Sequence, residues 1–351
     1  MKFGINIFPT AGPEDKSAAS HFADSLRLAE LAEELEFDHV KTVEHYFARY
    51  GGYSPDPVTF LAAVAARTRR IRLVTGAVIP AFTHPVKLAG KLAMLDNISQ
   101  GRLDVGFGRA FLPEEFAAFG IPLDESRPRF EEGVEACRRL WAQENVTWKG
   151  CFHSFGPVTL LPRPYQRPHP PILVATAVSP ESCAAAGRAG HGLMMVPSIN
   201  SADKVREMLA LYRKAWSDAG HGPSEGAVHM TYNCYVAEDR AEAVRLGRAY
   251  SEFTGRALAE AVASWSTTRS SGYQGYEKIP ERAGRADFDR QLAEHKVLVG
   301  DPDQVLESLG QIKALFGDVT ISLQVISGNQ PAAESERTMR LFAEHVTPYA
   351  P

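Results

Sequence analysis

Paired cysteines are absent from this chain. Its four, Cys137, Cys151, Cys183 and Cys234, are widely spaced, with no Cys-x-x-Cys and no neighbouring histidine at ligand spacing. A disulfide framework and a zinc site are both disfavoured, and the thiols read as reduced and structural. Long apolar runs are absent too: with 44% hydrophobic and 23% charged residues and no stretch of membrane-spanning length, the composition is that of a soluble globular protein. There is no basic excess. A net charge of −4 argues against nucleic acid or an anionic membrane as the main partner. The densest basic run, Arg67 to Arg72, sits where a helix should end and suits the negative end of its dipole. The N-terminus opens directly into a strand-like segment, Met1-Lys2-Phe3-Gly4-Ile5-Asn6-Ile7-Phe8, without the basic and apolar regions of an export signal, so a cytoplasmic location is expected. No repeat and no linker divides the chain, and residues 1–351 are expected to form a single domain.

What is present is alternation. Strand-like and helix-like stretches succeed one another along nearly the whole chain, the pattern of a parallel sheet wrapped by helices. Strands are expected near Met1–Phe8, Phe37–Val43, Ile71–Pro80, Leu103–Phe107, Ile172–Thr176, Leu193–Val196, Val228–Val236 and Val319–Val325, which makes eight. Pro85 and Pro180 suit first helical positions, and Ser179 suits an N-cap. The Pro- and Gly-bearing segment 147–171 reads as a surface hairpin and connector. Ser264 to Arg285 (264–285), rich in Ser, Thr, Gly and Arg and without a sustained period, is a candidate mobile lid.

In a closed barrel of this kind the active site lies at the C-terminal ends of the strands. Glu44-His45-Tyr46 directly follows such a strand; a packing histidine is the plain alternative to a base. The Ser179-Pro180 helix start would present free backbone amides to an anion, and Arg109, after another strand, could add bidentate contacts. Thr75-Gly76-Ala77 offers small side chains at the end of a third strand, where a flat ring could lie. A phosphate-tailed cofactor such as FMN would span these features, with its ring on Gly76 and Ala77 and its phosphate at Ser179 and Arg109. Phe8, Phe82, Phe111 and Tyr232 suggest an apolar pocket.

Several segments, in order and spacing, resemble the bacterial luciferase family of flavin-dependent monooxygenases. They are Met1-Lys2-Phe3-Gly4, Glu44-His45-Tyr46-Phe47, Thr75-Gly76-Ala77, His84-Pro85-Val86, Leu95-Asp96-Asn97-Ile98-Ser99-Gln100-Gly101-Arg102, Pro170-Pro171-Ile172, Gly300-Asp301-Pro302 and Val346-Thr347-Pro348-Tyr349. The resemblance implies a (β/α)8 TIM barrel with a lid insertion late in the barrel. It implies an oxygenase that takes reduced FMN (FMNH2) from a separate flavin reductase, forms a flavin C4a-hydroperoxide with O2, and oxygenates a small organic or carrier-protein-bound substrate. His45 matches the catalytic histidine, with Glu44 as a supporting carboxylate. Gly76-Ala77 matches a position where the family has a non-proline cis peptide, and Arg109, Ala177, Val178 and Ser179 match phosphate contacts. Dimerisation through the early barrel helices is a family habit, so a homodimer is expected.

Two departures bear on the reaction. Gly108 stands where light-emitting members carry a reactive cysteine, and Tyr46 where they have a second histidine, which points to a dark monooxygenase. A deazaflavin-dependent hydride-transfer enzyme of the same superfamily is disfavoured by the Glu44-His45 motif. A non-catalytic flavin-binding subunit is disfavoured by the retained His45 and the full-length lid. A phosphosugar barrel would place its phosphate site after the last two strands, not after the fifth.

Overall fold

The computed structural model describes residues 1–222, 226–284, 287–326 and 329–351. The strands are β1 (Lys2–Ile7), β2 (His39–Thr42), β3 (Arg72–Thr75), β4 (Leu103–Phe107), β5 (Val146–Lys149), β6 (Ser154–Val158), β7 (Ile172–Ala175), β8 (Gly192–Met195), β9 (Val228–Val236), β10 (Leu298–Gly300) and β11 (Thr320–Gln324). Eight of them, in the order β9-β11-β1-β2-β3-β4-β7-β8, pair in parallel and close through β8 on β9. This is a (β/α)8 TIM barrel. β10 adds to it where nine-residue β9 outruns its neighbours, pairing Leu298 to Gly300 with Cys234 to Val236; three apolar residues before a Gly-Asp-Pro stop were too short a run to read as a strand. β5 and β6 form an antiparallel hairpin. β3 ends at Thr75, short of the expected Pro80, because Pro80–Phe82 turns into a 3-10 helix.

The helices are α1 (Ala18–Glu34), α2 (Pro57–Arg67), α3 (Pro85–Ile98), α4 (Pro113–Ala118), α5 (Ser126–Ala142), α6 (Pro180–Arg188), α7 (Ala202–Asp218), α8 (Arg240–Ala261), α9 (Ile279–Gly284), α10 (Phe288–Ala293), α11 (Pro302–Phe316) and α12 (Ala332–His345). Their starts follow from capping chemistry. His84 Nδ1 accepts from the Val86 amide and Pro85 takes the first position of α3; Ser179 accepts from Ser182 at the head of α6; Asp301 and Gln304 form a reciprocal capping box on α11. Arg102, from the segment after α3, ties that corner together by donating to Ser99, Thr68, Ile71 and Ala65 oxygens.

Side chains alternate across each strand. One set, including Ile5, Val40, Leu73, Phe107, Met230 and Leu323, packs outward against Leu28, Leu61, Leu92, Trp141, Leu309 and Phe342 of the helices. Burying large side chains such as Trp141, whose Nε1 donates to Ala89 O at 3.0 Å, contributes a few kcal/mol each. The other set fills the lumen. There Val74, Leu173 and Met194, with Ala77 just beyond β3, form a small apolar cluster of their own.

Candidate active site

The C-terminal ends of β1 to β4 position the first group of side chains. Glu44 and His45 follow β2 and are both buried. His45 Nδ1 lies 3.0 Å from Glu115 Oε1, which also accepts the Tyr46 amide at 2.9 Å. Glu115, in the first turn of α4, is 1% exposed and its Oε2 has no hydrogen-bond partner. The imidazole sits among Phe8, Tyr50 and Phe111, with ring centroids 5.3 to 5.9 Å away. Room for it comes from Gly51 (φ +80°), where a Cβ would come within 2.7 Å of His45 Cβ.

Glu44, expected beside His45 as its support, faces elsewhere. Its Oε1 accepts from Tyr46 Oη at 2.7 Å and its Oε2 from the Ile79 amide at 2.9 Å. Burial pushes its carboxyl up to about 7 against the lowering effect of both donors. Its acid is thus held close to the point of changing charge at neutral pH, and it fastens the end of β2 to the chain leaving β3. The carboxylate that orients His45 is Glu115.

Gly76 and Ala77 lie on that same chain. Gly76 N–H donates to Thr42 O at 2.5 Å and Val78 N–H to Gly106 O at 2.8 Å. A Cβ on Gly76 would come within 2.5 Å of Lys41 Cγ, and one on Gly108 within 3.0 Å of Ala77 Cβ, so glycine at each position leaves a low surface. The expected cis peptide at Gly76-Ala77 is not found: among the described residues the cis bonds are Gly156-Pro157, Leu161-Pro162 and Arg167-Pro168. Both sides of the dipeptide stay tied to the neighbouring strands in a trans path, with Val78 bridging to Phe107.

Arg109 and Ser179 belong to a second group. Arg109 lies over the Tyr273 ring, 4.2 Å from its centroid, and its Nη1 is buried without a hydrogen-bond partner. Ser179 Oγ caps α6 and accepts from Ser182 Oγ at 3.1 Å, while Arg127 Nη1 approaches Ser182 Oγ at 3.5 Å. Arg127 thus adds a second guanidinium at the head of α6. The Ala177 and Val178 side chains are exposed, and Ala177 O accepts from Asn200 Nδ2 at 2.7 Å. An orphaned guanidinium nitrogen and a serine-capped helix start are each groups that suit a phosphate.

Residues 1–318 match the family of luciferase-like monooxygenases. The chain belongs to this family. One solved relative, monooxygenase RslO1 from Streptomyces bottropensis, is 65% identical with a TM-score of 0.91 over 99% of each chain. The F420-dependent glucose-6-phosphate dehydrogenase of Amycolatopsis mediterranei is 27% identical over 95% of this chain and 96% of that one. The oxygenase component of the flavin-dependent trigonelline monooxygenase of Acinetobacter baylyi is 29% identical, over 61% of this chain and 59% of that protein. The chain likewise spans 60% of an uncharacterised Sinorhizobium fredii protein, 34% identical, that it matches.

Within this luciferase-like chain the segment from Ser264 covers the loop after β4, and its last residue, Arg285, lies outside the described residues. It is built of 3-10 turns at Ala263–Ser266, Ser271–Tyr273 and Tyr276–Lys278 followed by α9. Trp265 and Tyr273 are buried with Leu112 and Phe116. Trp265 Nε1 donates to Phe111 O at 2.9 Å, and Tyr273 Oη to Ala110 O at 2.8 Å. Asp124 accepts from Ser270 and Ser271 hydroxyls at 2.6 and 3.0 Å.

Of the pocket aromatics, Phe8 and Phe111 flank His45, and Phe82 stacks on Phe119 beside Tyr46. Tyr232 does not join them. Its neighbour Thr231 faces the lumen, so the two-residue period of β9 turns Tyr232 outward into the core under the helices.

Three further groups went unread in the sequence. Glu115 lies in a stretch that looked irregular, 70 positions from its partner. Arg127 lies just inside α5. Lys41 lies in β2 (His39–Thr42), all four residues of which are buried, and a lysine in a strand buried on both faces is a readable signal.

Proposed function

We propose that this chain is the oxygenase of a two-component flavin-dependent monooxygenase, using reduced FMN and O2 to oxygenate a small organic or carrier-bound substrate. The observation that carries it is the buried His45–Glu115 pair in an aromatic box, on the strand whose end is fastened by Glu44 to the Gly76-Ala77 chain. Arg109, Arg127, Ser179 and the adjoining Ala177 and Val178 would hold the phosphate, and Gly76 and Ala77 the ring. Bound reduced FMN would supply the electrons that activate dioxygen. His45 moves a proton at Nε2 while Glu115 holds Nδ1, which fixes the tautomer and the ring plane. Glu44 keeps the loop and the Gly76-Ala77 chain in register. The packed 264–284 segment excludes water from the site, and its opening as a lid admits substrate.

The name of the trigonelline relative, an oxygenase component, supports a separate reductase as partner. No helix among the described residues is long and apolar enough to cross a membrane; we assign the protein to the cytoplasm, as a homodimer. A deazaflavin oxidoreductase is the second reading, favoured by the F420-dependent relative that matches over nearly the full length. The two separate in one experiment. The protein is mixed anaerobically with photoreduced FMN and then exposed to oxygenated buffer. Reoxidation of bound flavin markedly slower than that of free FMN supports the oxygenase; identical reoxidation, together with substrate-dependent turnover of F420 without O2, would replace it.

A further inference from the structure

Lys41 is a charged residue that the site described above does not use. It is 3% exposed, and its Nζ donates to Thr231 Oγ1 at 2.6 Å. β2 and β9 are separated by β11 and β1 in the barrel order, so this bond crosses the lumen. Among the described residues no carboxylate pairs with the amine. A lone buried ammonium is costly, and a methionine-like side chain would fill the same space without that cost. Its position is specific: the aliphatic stem occupies the volume that a side chain on Gly76 would need. The stem therefore backs the inner side of the surface assigned above to the flavin ring, and the amine extends from it into the lumen toward β9.

We propose that Lys41 is the counter-charge for an anionic reduced flavin, its amine taking up one proton from solvent as the cofactor binds. The inference rests on the flavin reading given above. Reduced FMN at neutral pH is largely an anion with its charge in the ring system, whereas the ring of oxidised FMN is neutral, so a cation beneath the ring favours the reduced form. Burial lowers the amine to about 7 in the protein without ligand, which leaves the proton free to follow the anion. Other titratable groups turned toward it cannot substitute. His39 on β2 and His229 on β9 are both held low by burial and by Lys41 itself. Asp38 and Asp104 act on His39, and Asp104 is bound by Arg72. Asn6 and Gln324, in register with Lys41, are uncharged.

The test is anaerobic calorimetry of the full-length protein with photoreduced FMN, and separately with oxidised FMN, in two buffers of different ionisation enthalpy. Wild type should take up close to one proton at pH 8 with reduced FMN, where the free cofactor is already the anion and has no proton of its own to release, and none with oxidised FMN, given the amine at about 7. Lys41→Met should lose the uptake and bind reduced FMN about tenfold more weakly, with oxidised FMN unaffected. Reduced-FMN binding by wild type without uptake overturns the assignment, and so does uptake that persists in Lys41→Met. Failure of wild type to bind reduced FMN at all overturns the cofactor reading and this inference together.

Discussion

The two halves of the barrel lumen are made differently. Toward β3, β4, β7 and β8 it is filled by Val74, Ala77, Leu173 and Met194, with charge confined to the paired Arg72 and Asp104 nearer the strands' N-terminal ends, and the close approach of β4 depends on Gly106. Toward β1, β2, β9 and β11 it holds Asn6, His39, Lys41, His229, Thr231, Ser322 and Gln324. These are joined by bonds such as His39 to Ser322 at 2.7 Å and Asn6 to Gln324 at 3.3 Å. Barrel lumens are usually filled with branched apolar side chains. A polar half is costly even when bonded, and here Asn6 Oδ1 and His229 Nδ1 lack partners. The apolar half is what packing alone would select. The polar half is where packing alone gives no account of the side chains, and Glu44 and His45 stand above it at the end of β2.

The largest expected effect comes from removing the group at the top of the polar side. His45→Ala should retain FMN binding and lose product formation by about two to four orders of magnitude, roughly 3–5 kcal/mol of barrier. Steady-state turnover with a reductase and a flavin-binding titration measure the two separately. Unchanged turnover would remove His45 from the mechanism and leave the polar half without an outlet.

On the apolar side the break is in folding. A Cβ at Gly106 would overlap Thr75 O, a backbone atom, as well as Met194 Cε. Met194 can rotate away, but Thr75 cannot move without shifting β3 against β4. Gly106→Ala should therefore lower stability by about 3 kcal/mol, seen as a lower urea midpoint. A loss of under about 1 kcal/mol would show that the two strands slide more easily than the register implies.

This division was only partly legible in the sequence. The eight barrel strands, the helix start at Pro85, the cap at Ser179, and Glu44 and His45 at a strand end follow from local periodicity and from residues whose chemistry acts on their neighbours. Glu115 could not be read that way, because its pairing with His45 depends on where a six-residue helix lands after β4. The lumen was hidden for a related reason. Which residues of a strand turn inward is a matter of phase. In β9 the phase puts His229 and Thr231 inside and the more pocket-like Tyr232 outside. Lys41 gave a usable sign, since an unpaired lysine in a fully buried strand asks for a reason, but its partner Thr231 is 190 positions away.

The smallest expected effect sharpens the comparison at the seam. Burial holds the Glu44 carboxyl at about 7, above the 4.5 of an exposed glutamate. Between those values the folded state carries more protons at this site than the unfolded chain, so stability falls as pH rises. The contribution is fully present below about 4.5 and is lost through about 7. Glu44→Gln removes that slope while keeping the bonds, since the amide oxygen can accept from Ile79 N–H and its NH2 can donate to Tyr46 Oη. The variant should match wild type near pH 5 and be more stable at pH 8 by about 2 kcal/mol, read from urea midpoints at the two pH values. Lys41, a buried base, imposes the opposite slope between about 7 and 10.5, so the fall should end, and turn to a rise, just where Glu44 has lost its proton. A wild-type profile that is flat from pH 5 to 8 and unchanged in Glu44→Gln would mean that the carboxylate stays ionised through that range, satisfied by its two donors despite its burial.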